Sequence, residues 1–190
     1  MSVDLPAVHA RAMQSARKAV AGIGDDQWGD MSDCDPWTVR DLVNHVVSGN
    51  FWVPELVGEG KSIEAVGDRL DGDVLGDDPL AAFDASAAAA DATFSAPGAM
   101  DEPAAVSYGP LPASIYCGHR FMDLLIHGWD IAVSTGQDTT LDPELVDACL
   151  EVLEPQKAEL LASGAFGHVI EVPADAPPQT QLLAVLGRKG

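Results

Sequence analysis

The chain has 190 residues, with 30 Asp plus Glu against 10 Lys plus Arg and a formal net charge of -20. Such a field repels nucleic acid and anionic membrane surfaces, so neither is expected as a partner and a small molecule is. At 47% hydrophobic residues and a mean hydropathy of +0.07 the chain is too apolar for an acidic disordered segment, and one domain spanning residues 1–190 is expected, burying roughly 70% of its extended-chain surface.

Leu5, Val8, Ala12, Ala16, Ala19 and Val20 recur at helical spacing until GIGDD stops the pattern, which predicts a first helix. In DPWTVRDLVNHVVSGNFWVPELV, Thr38 is placed to cap a second helix carrying Val39, Leu42, Val43, Val46 and Val47, with a disturbance near Gly49 or Pro54. Residues 61–78 are acidic and Gly-rich, a solvated loop expected to add nothing to a core. The alanine-dominated run from Pro79 to Phe94 predicts a third helix with Leu80, Phe83, Ala87, Ala90 and Phe94 on one stripe.

After a Pro/Gly-rich connection, in which AAVSY reads as a short extended piece, the longest helix is expected between a first-turn Pro112 and a C-terminal Gly136. A fifth helix begins near Pro143 and includes Leu145, Ala148, Leu150, Val152 and Leu153, with a kink expected at Pro155. FGHVIEV predicts a short strand, PADAPP a turn and QLLAVLG a last helical turn or two. The reading is a mainly all-α fold: an antiparallel four-helix bundle with an extra C-terminal helix and a short C-terminal strand or extended segment.

Three cysteines, Cys34, Cys117 and Cys149, form neither an even set nor a CxxC pair, which argues against a disulfide framework. A reducing interior follows. The N-terminus lacks a basic region followed by an uninterrupted apolar stretch, and no window reaches the ~18 apolar residues that span a bilayer, so the expected location is cytoplasmic. The oligomeric state stays open, a homodimer included.

Asp123 and His127 are four residues apart on the longest helix, so their β-carbons stand about 5–6 Å apart on one face. His45, flanked by Val43, Val46 and Val47, lies beside the apolar stripe of the second helix. Two imidazoles and one carboxylate from facing helices make a metal set with open positions, as in catalytic zinc sites. The plain alternatives are a helix pair worth ~0.2–0.5 kcal/mol and a hydrogen-bonded boundary histidine. A non-heme iron oxygenase uses the same ligand types, but the helical pattern offers no barrel of strands to mount them on.

His119 is two turns before His127 and is read as a supporting or surface residue, His9 and His168 as structural. Cys117 and Cys34 have no base beside them in sequence that would mark a nucleophile. Trp37, Trp52 and Trp129 are read as packing residues, with Trp129 or Trp52 expected to wall a pocket beside the site. No GxGxxG or GxxxxGK[ST] is present, so nucleotide binding has no support.

CDPWTVRDLVNHVV followed by RFMDLLIHGWDIAVSTGQ resembles the metal-binding domain of the mycothiol-dependent maleylpyruvate isomerase family, within the DinB/YfiT-like superfamily of four-helix bundles. The ending VPADAPPQTQLLAVLGR is similar to that of short, single-domain members, so the resemblance spans almost the whole chain. It implies that His45, Asp123 and His127 hold a divalent metal, zinc or alternatively nickel, and that a low-molecular-weight thiol such as mycothiol binds it and attacks an electrophile. In the family's isomerase the carboxylate is glutamate, so Asp123 is one methylene shorter. That isomerase also carries a further C-terminal domain contributing to its active site, and the chain reaches Gly190 without room for it, so maleylpyruvate isomerisation is not expected. The resulting expectation is a thiol-dependent transferase or isomerase-like enzyme, the alternative being a non-catalytic metal- or small-ligand-binding module.

Overall fold

The computed structural model describes residues 3–158, 162 and 168–190. Asp4–Thr139 form one compact unit and Thr140–Gly190 belong to a second. The first is a four-helix arrangement of α1 (Leu5–Ala21), α2 (Val39–Val53), α4 (Pro79–Phe94) and α5 (Ala113–Ser134), with a one-turn α3 (Ile63–Val66) in the connection between α2 and α4. A small antiparallel hairpin of β1 (Pro103–Val106) and β2 (Gly109–Pro112) precedes α5 and begins at the extended piece expected around AAVSY.

Local chemistry sets the helix starts. The Asp4 carboxylate accepts from the Ala7 N–H and the Asp78 carboxylate from the Ala81 N–H, each with a proline in the first turn, where its missing N–H costs nothing. At α2, Thr38 Oγ1 accepts from the Asp41 N–H at 3.1 Å while Asp41 Oδ2 accepts from the Thr38 N–H at 3.0 Å, a reciprocal cap. Helix α5 ends where Gly136, at φ +69, lets its N–H reach the Val133 carbonyl and the Gln137 N–H reach the Ala132 carbonyl. Pro112 stands just before α5 as its cap residue, not within its first turn.

Helix α1 packs on α5 and α4, and α2 on the same two, so α1 and α2 occupy opposite corners. The contacts fix the directions. Gln137 Nε2 donates to the Ala19 carbonyl at one end of α1, and Asn50 accepts from Arg120 midway along α5. Arg17 pairs with Asp84, and His9 with Asp91, along α1 and α4. Thus α1 runs parallel to α5 and α2 parallel to α4, whereas the α1–α4 and α2–α5 pairs are antiparallel. The expected simple antiparallel bundle is corrected here: α2 and α4 point the same way because residues 54–78 are long enough to return the chain across the bundle.

That connection also differs from a solvated loop. Ser62 caps α3, and Val66 and Leu75 are buried at 2% and 3% exposure. Polar side chains of α2 satisfy its backbone: Asn44 donates to the Gly72 carbonyl and accepts from the Val74 N–H, both at 2.8 Å, and Ser48 donates to the Leu70 carbonyl at 3.0 Å. Once its peptide groups are paired, the segment can place apolar side chains inward. Helix α2 does not break at Gly49, and beyond Val53 it widens into a π-helical turn over Pro54–Gly58, a local answer to the absent proline N–H.

In the four-helix unit the core is built on Phe83, Phe94, Phe121, Leu42, Met122 and Ile126. Leu80 is only half-buried, so the α4 stripe starts at Phe83. In the second unit α6 (Pro143–Leu153) runs into a 3-10 turn, Glu154–Gln156, at the proline where a kink is expected, and packs on α7 (Pro178–Val185). Residues 168–172 form no strand; the Ile170 N–H bonds to the Ala184 carbonyl of α7 instead, and Phe166 and Gly167 lie outside the described residues. The fold is all-α, and the hairpin is the one sheet among the described residues. No helix among them is long and apolar enough to cross a membrane.

Helices α1 and α5 approach closely at Ala16 and Gly128, where a Cβ on residue 128 would lie 3.2 Å from the Ala16 Cα. Gly128→Val is expected to force the two helices apart and to lower unfolding free energy by about 1–3 kcal/mol, read from urea denaturation. An unchanged midpoint would show that the close approach is not required.

Candidate metal centre

His45 projects from α2, Asp123 and His127 from successive turns of α5, and the antiparallel α2–α5 contact brings the three together. Asp123 Oδ1 lies 3.5 Å from His45 Nε2 and 3.4 Å from His127 Nε2, and the three ligand atoms fall within 4.8 Å of one another. The imidazoles meet edge to face, with centroids 5.0 Å apart and an interplanar angle of 83°. Exposure falls from 37% of the His45 side chain to 18% at Asp123 and 9% at His127, so the site opens on the α2 side. The aspartate is long enough to reach both rings.

A further carboxylate stands behind His127. Asp130 Oδ2, on a side chain 1% exposed, accepts from His127 Nδ1 at 2.9 Å. That bond orients the ring so that Nε2 faces Asp123 and His45. Cys34 donates its thiol to the same Asp130 oxygen at 3.1 Å, with its sulfur 4.0 Å from His127 Nδ1. The expectation that Cys34 has no base beside it is therefore corrected. Its neighbours come from α5, 93 and 96 positions along the chain, and are brought to it by the turn before α2, where Asp33 N–H donates to Ser134 Oγ.

The indole against the imidazoles is Trp37, not Trp129 or Trp52 as expected. Its ring lies 4.8 Å from that of His45 and 6.3 Å from that of His127. Trp129 is buried. A cavity of about 650 Å³ opens between α2 and the segment 70–73, lined by Trp37, Arg40, Asn44, His45, Leu70 and Asp71 among others. Arg40 is tied to Asp73 at 2.7 Å on its rim. Of the remaining histidines, His9 is buried against Asp91 and Phe94, His119 accepts or donates at 2.7 Å with the Tyr108 hydroxyl, and His168 is exposed in the second unit. Cys117 and Cys149 are buried thiols, each pushed up to about 12 by burial.

A family model described as the mycothiol maleylpyruvate isomerase N-terminal domain matches residues 9–132, which include His45, Asp123, His127 and Asp130. The chain belongs to that family. Two relatives, uncharacterized proteins of Mycobacterium tuberculosis strains CDC 1551 / Oshkosh and ATCC 25618 / H37Rv, are each 35% identical over 184 residues, covering 95% of this chain and 95% of their own length. The crystal structure of a histidine-to-alanine mutant of mycothiol-dependent maleylpyruvate isomerase superposes with a TM-score of 0.66 at 17% identity, over 85% of this chain and 72% of that one. At that identity the likeness is one of fold, and it agrees with the all-α architecture.

The side chains of the site pair electrostatically with one another. Burial by itself would raise the Asp123 carboxyl, but the Arg120 guanidinium, with Nη1 2.7 Å from Oδ2, and the His127 ring hold it well below the usual carboxylate range. Burial would lower His127, yet the Asp123 charge and hydrogen bonds to Asp123, Asp130 and Cys34 hold it well above the usual histidine range. Because the folded value is raised, this stabilisation is complete below the unfolded value of about 6.5 and is lost as pH rises through the folded value. In chelator-treated protein the urea midpoint is expected to decline over that alkaline interval, and His127→Asn to remove this part of the slope. NMR titration of the ring placing its transition at or below the ordinary histidine range would refute the pairing.

Proposed function

We propose that the chain is a divalent-metal-binding enzyme of the cytoplasm, with His45, Asp123 and His127 as ligands and a low-molecular-weight thiol such as mycothiol as cosubstrate. The observation that carries this reading is the convergence of two imidazole nitrogens and one carboxylate oxygen on a single point. A tetrahedral zinc ion with bonds near 2.0–2.1 Å holds its ligand atoms about 3.3 Å apart. The 3.4 and 3.5 Å from Asp123 Oδ1 to the two imidazole nitrogens are close to that spacing. The donor set also fits, since imidazole suits zinc and nickel and three protein ligands leave a position open.

When bound, such a cation lowers the pKa of a coordinating thiol and so supplies a thiolate at neutral pH. The protein's own groups orient and shield that chemistry. Asp130 orients the His127 ring so that Nε2 faces the site, Trp37 covers one flank of His45, and the adjoining cavity has room for a thiol and an electrophile of modest size. The acidic surface and the pairing of Arg40 with Asp73 favour an uncharged electrophile over a multiply anionic one. The reaction class that follows is thiol transfer, or a thiol-assisted isomerisation, by a single metal-binding domain acting without nucleic acid or membrane.

Protein purified without chelator or affinity-tag nickel is expected to carry about one divalent ion per chain, largely lost in His127→Ala, since removing one of three ligands weakens the hold of the others. Metal analysis showing full retention in that variant would overturn the ligand assignment. Zinc-loaded protein is expected to accelerate consumption of mycothiol by monobromobimane, with the acceleration absent in His127→Ala. Wild-type protein that holds its metal but leaves the thiol's reaction rate unchanged would instead support a non-catalytic metal-binding module.

A further inference from the structure

We propose that Arg120 is a positioning residue that selects the metal, by occupying one oxygen of Asp123 so that only the other can be a ligand. The inference rests on the proposed metal site and concerns how that site discriminates among cations.

The Asp123 carboxylate is divided between two tasks. Oδ2 accepts from Arg120 Nη1 at 2.7 Å, and Oδ1 faces both imidazoles. The guanidinium is held from behind: Nη2 donates to Asn50 Oδ1 at 3.0 Å and to the Val46 carbonyl at 3.3 Å, both on α2. Asn50 in turn donates to Ser86 Oγ at 3.2 Å, and Ser86 to the Phe83 carbonyl of α4 at 2.9 Å. Arg120 is 6% exposed, and Asn50 and Ser86 are fully buried, so this chain of bonds spans three helices within the interior.

Gly49 makes the arrangement sterically possible. A Cβ at that position would lie 2.6 Å from the guanidinium carbon and 2.7 Å from Nη2, so any side chain there displaces Arg120. The glycine that reads in sequence as a helix disturbance is instead a notch in an unbroken helix.

The chemical consequence concerns denticity and charge. Calcium and other hard cations take six or more oxygen ligands and favour bidentate carboxylates, whereas zinc is satisfied by four ligands with imidazole prominent among them. With Oδ2 occupied, Asp123 offers one oxygen, and its charge is offset by the adjacent guanidinium. The site then binds mainly through its imidazoles, which favours zinc, nickel and cobalt over manganese, magnesium and calcium. Releasing Arg120 frees Oδ2 to chelate and restores a full negative charge.

Cobalt(II) is the probe. Wild-type protein is expected to take up Co2+ with intense visible bands of low coordination number, and Zn2+ to displace it readily. In Gly49→Ala, which moves the guanidinium without altering a ligand or a charge, and in Arg120→Gln, the bands weaken as coordination rises, and the Zn2+/Mn2+ affinity ratio falls by about tenfold or more. If Arg120→Gln does not fold, Gly49→Ala carries the test alone. A purely structural Arg120 would lower all metal affinities together. Variants that keep the wild-type spectrum and the wild-type Zn2+/Mn2+ ratio overturn the inference for Arg120 alone. Wild-type protein that takes up neither Co2+ nor Zn2+ overturns the metal site and this inference with it.

Discussion

Neither Arg120 nor Asp123 could be buried alone at low cost inside the four-helix unit, where taking an ion out of water costs several kcal/mol. Together they can, because the guanidinium also reaches Asn50 and a backbone carbonyl of α2, and the carboxylate is completed on its other side by two imidazoles. The relative placement of α2 and α5 is set by this junction. If α2 slid by one turn, His45 would leave Asp123 and Asn50 would leave Arg120, so the register that forms the site is also the one that satisfies the buried charges. The candidate metal centre is thus integral to the packing of the bundle.

Around that junction the chain shows two kinds of polar residue. Some act locally and are visible in a short stretch of sequence: Thr38 with Asp41, Asp78 before Pro79, and Gly136 after the last turn of α5. Others act at long range and have no local signature. Asn44 and Ser48 pair with the backbone of the 70s segment, and Asp33 with Ser134 across 101 positions. The local set defines where helices begin and end; the long-range set decides which loops lie against the bundle, and so what walls the cavity.

The strong net charge of -20 belongs to the surface and its loops, while the site itself is locally balanced. Asp123 faces Arg120, and Asp130 faces His127 and Cys34. A charge total therefore describes what the protein repels from a distance, and the pairing of individual groups describes what its interior can hold.

Helix boundaries in the four-helix unit, the Asp123–His127 pair and the all-α class were legible in the sequence, because caps, apolar stripes and an i,i+4 pair are properties of neighbours along the chain; His45 joined that pair only through its place beside the apolar stripe of α2 and the family resemblance. Direction of the helices was not: parallel α1–α5 and α2–α4 pairs depend on how the 54–78 segment crosses the bundle, and composition marked it as plain loop. Nor could residue order reveal Cys34 beside Asp130, Trp37 against His45, or Gly49 as the space for a guanidinium. Each of these contacts joins positions remote in sequence, and only close packing, which gives every side chain a single set of neighbours, decides among the many partners that a sequence leaves open.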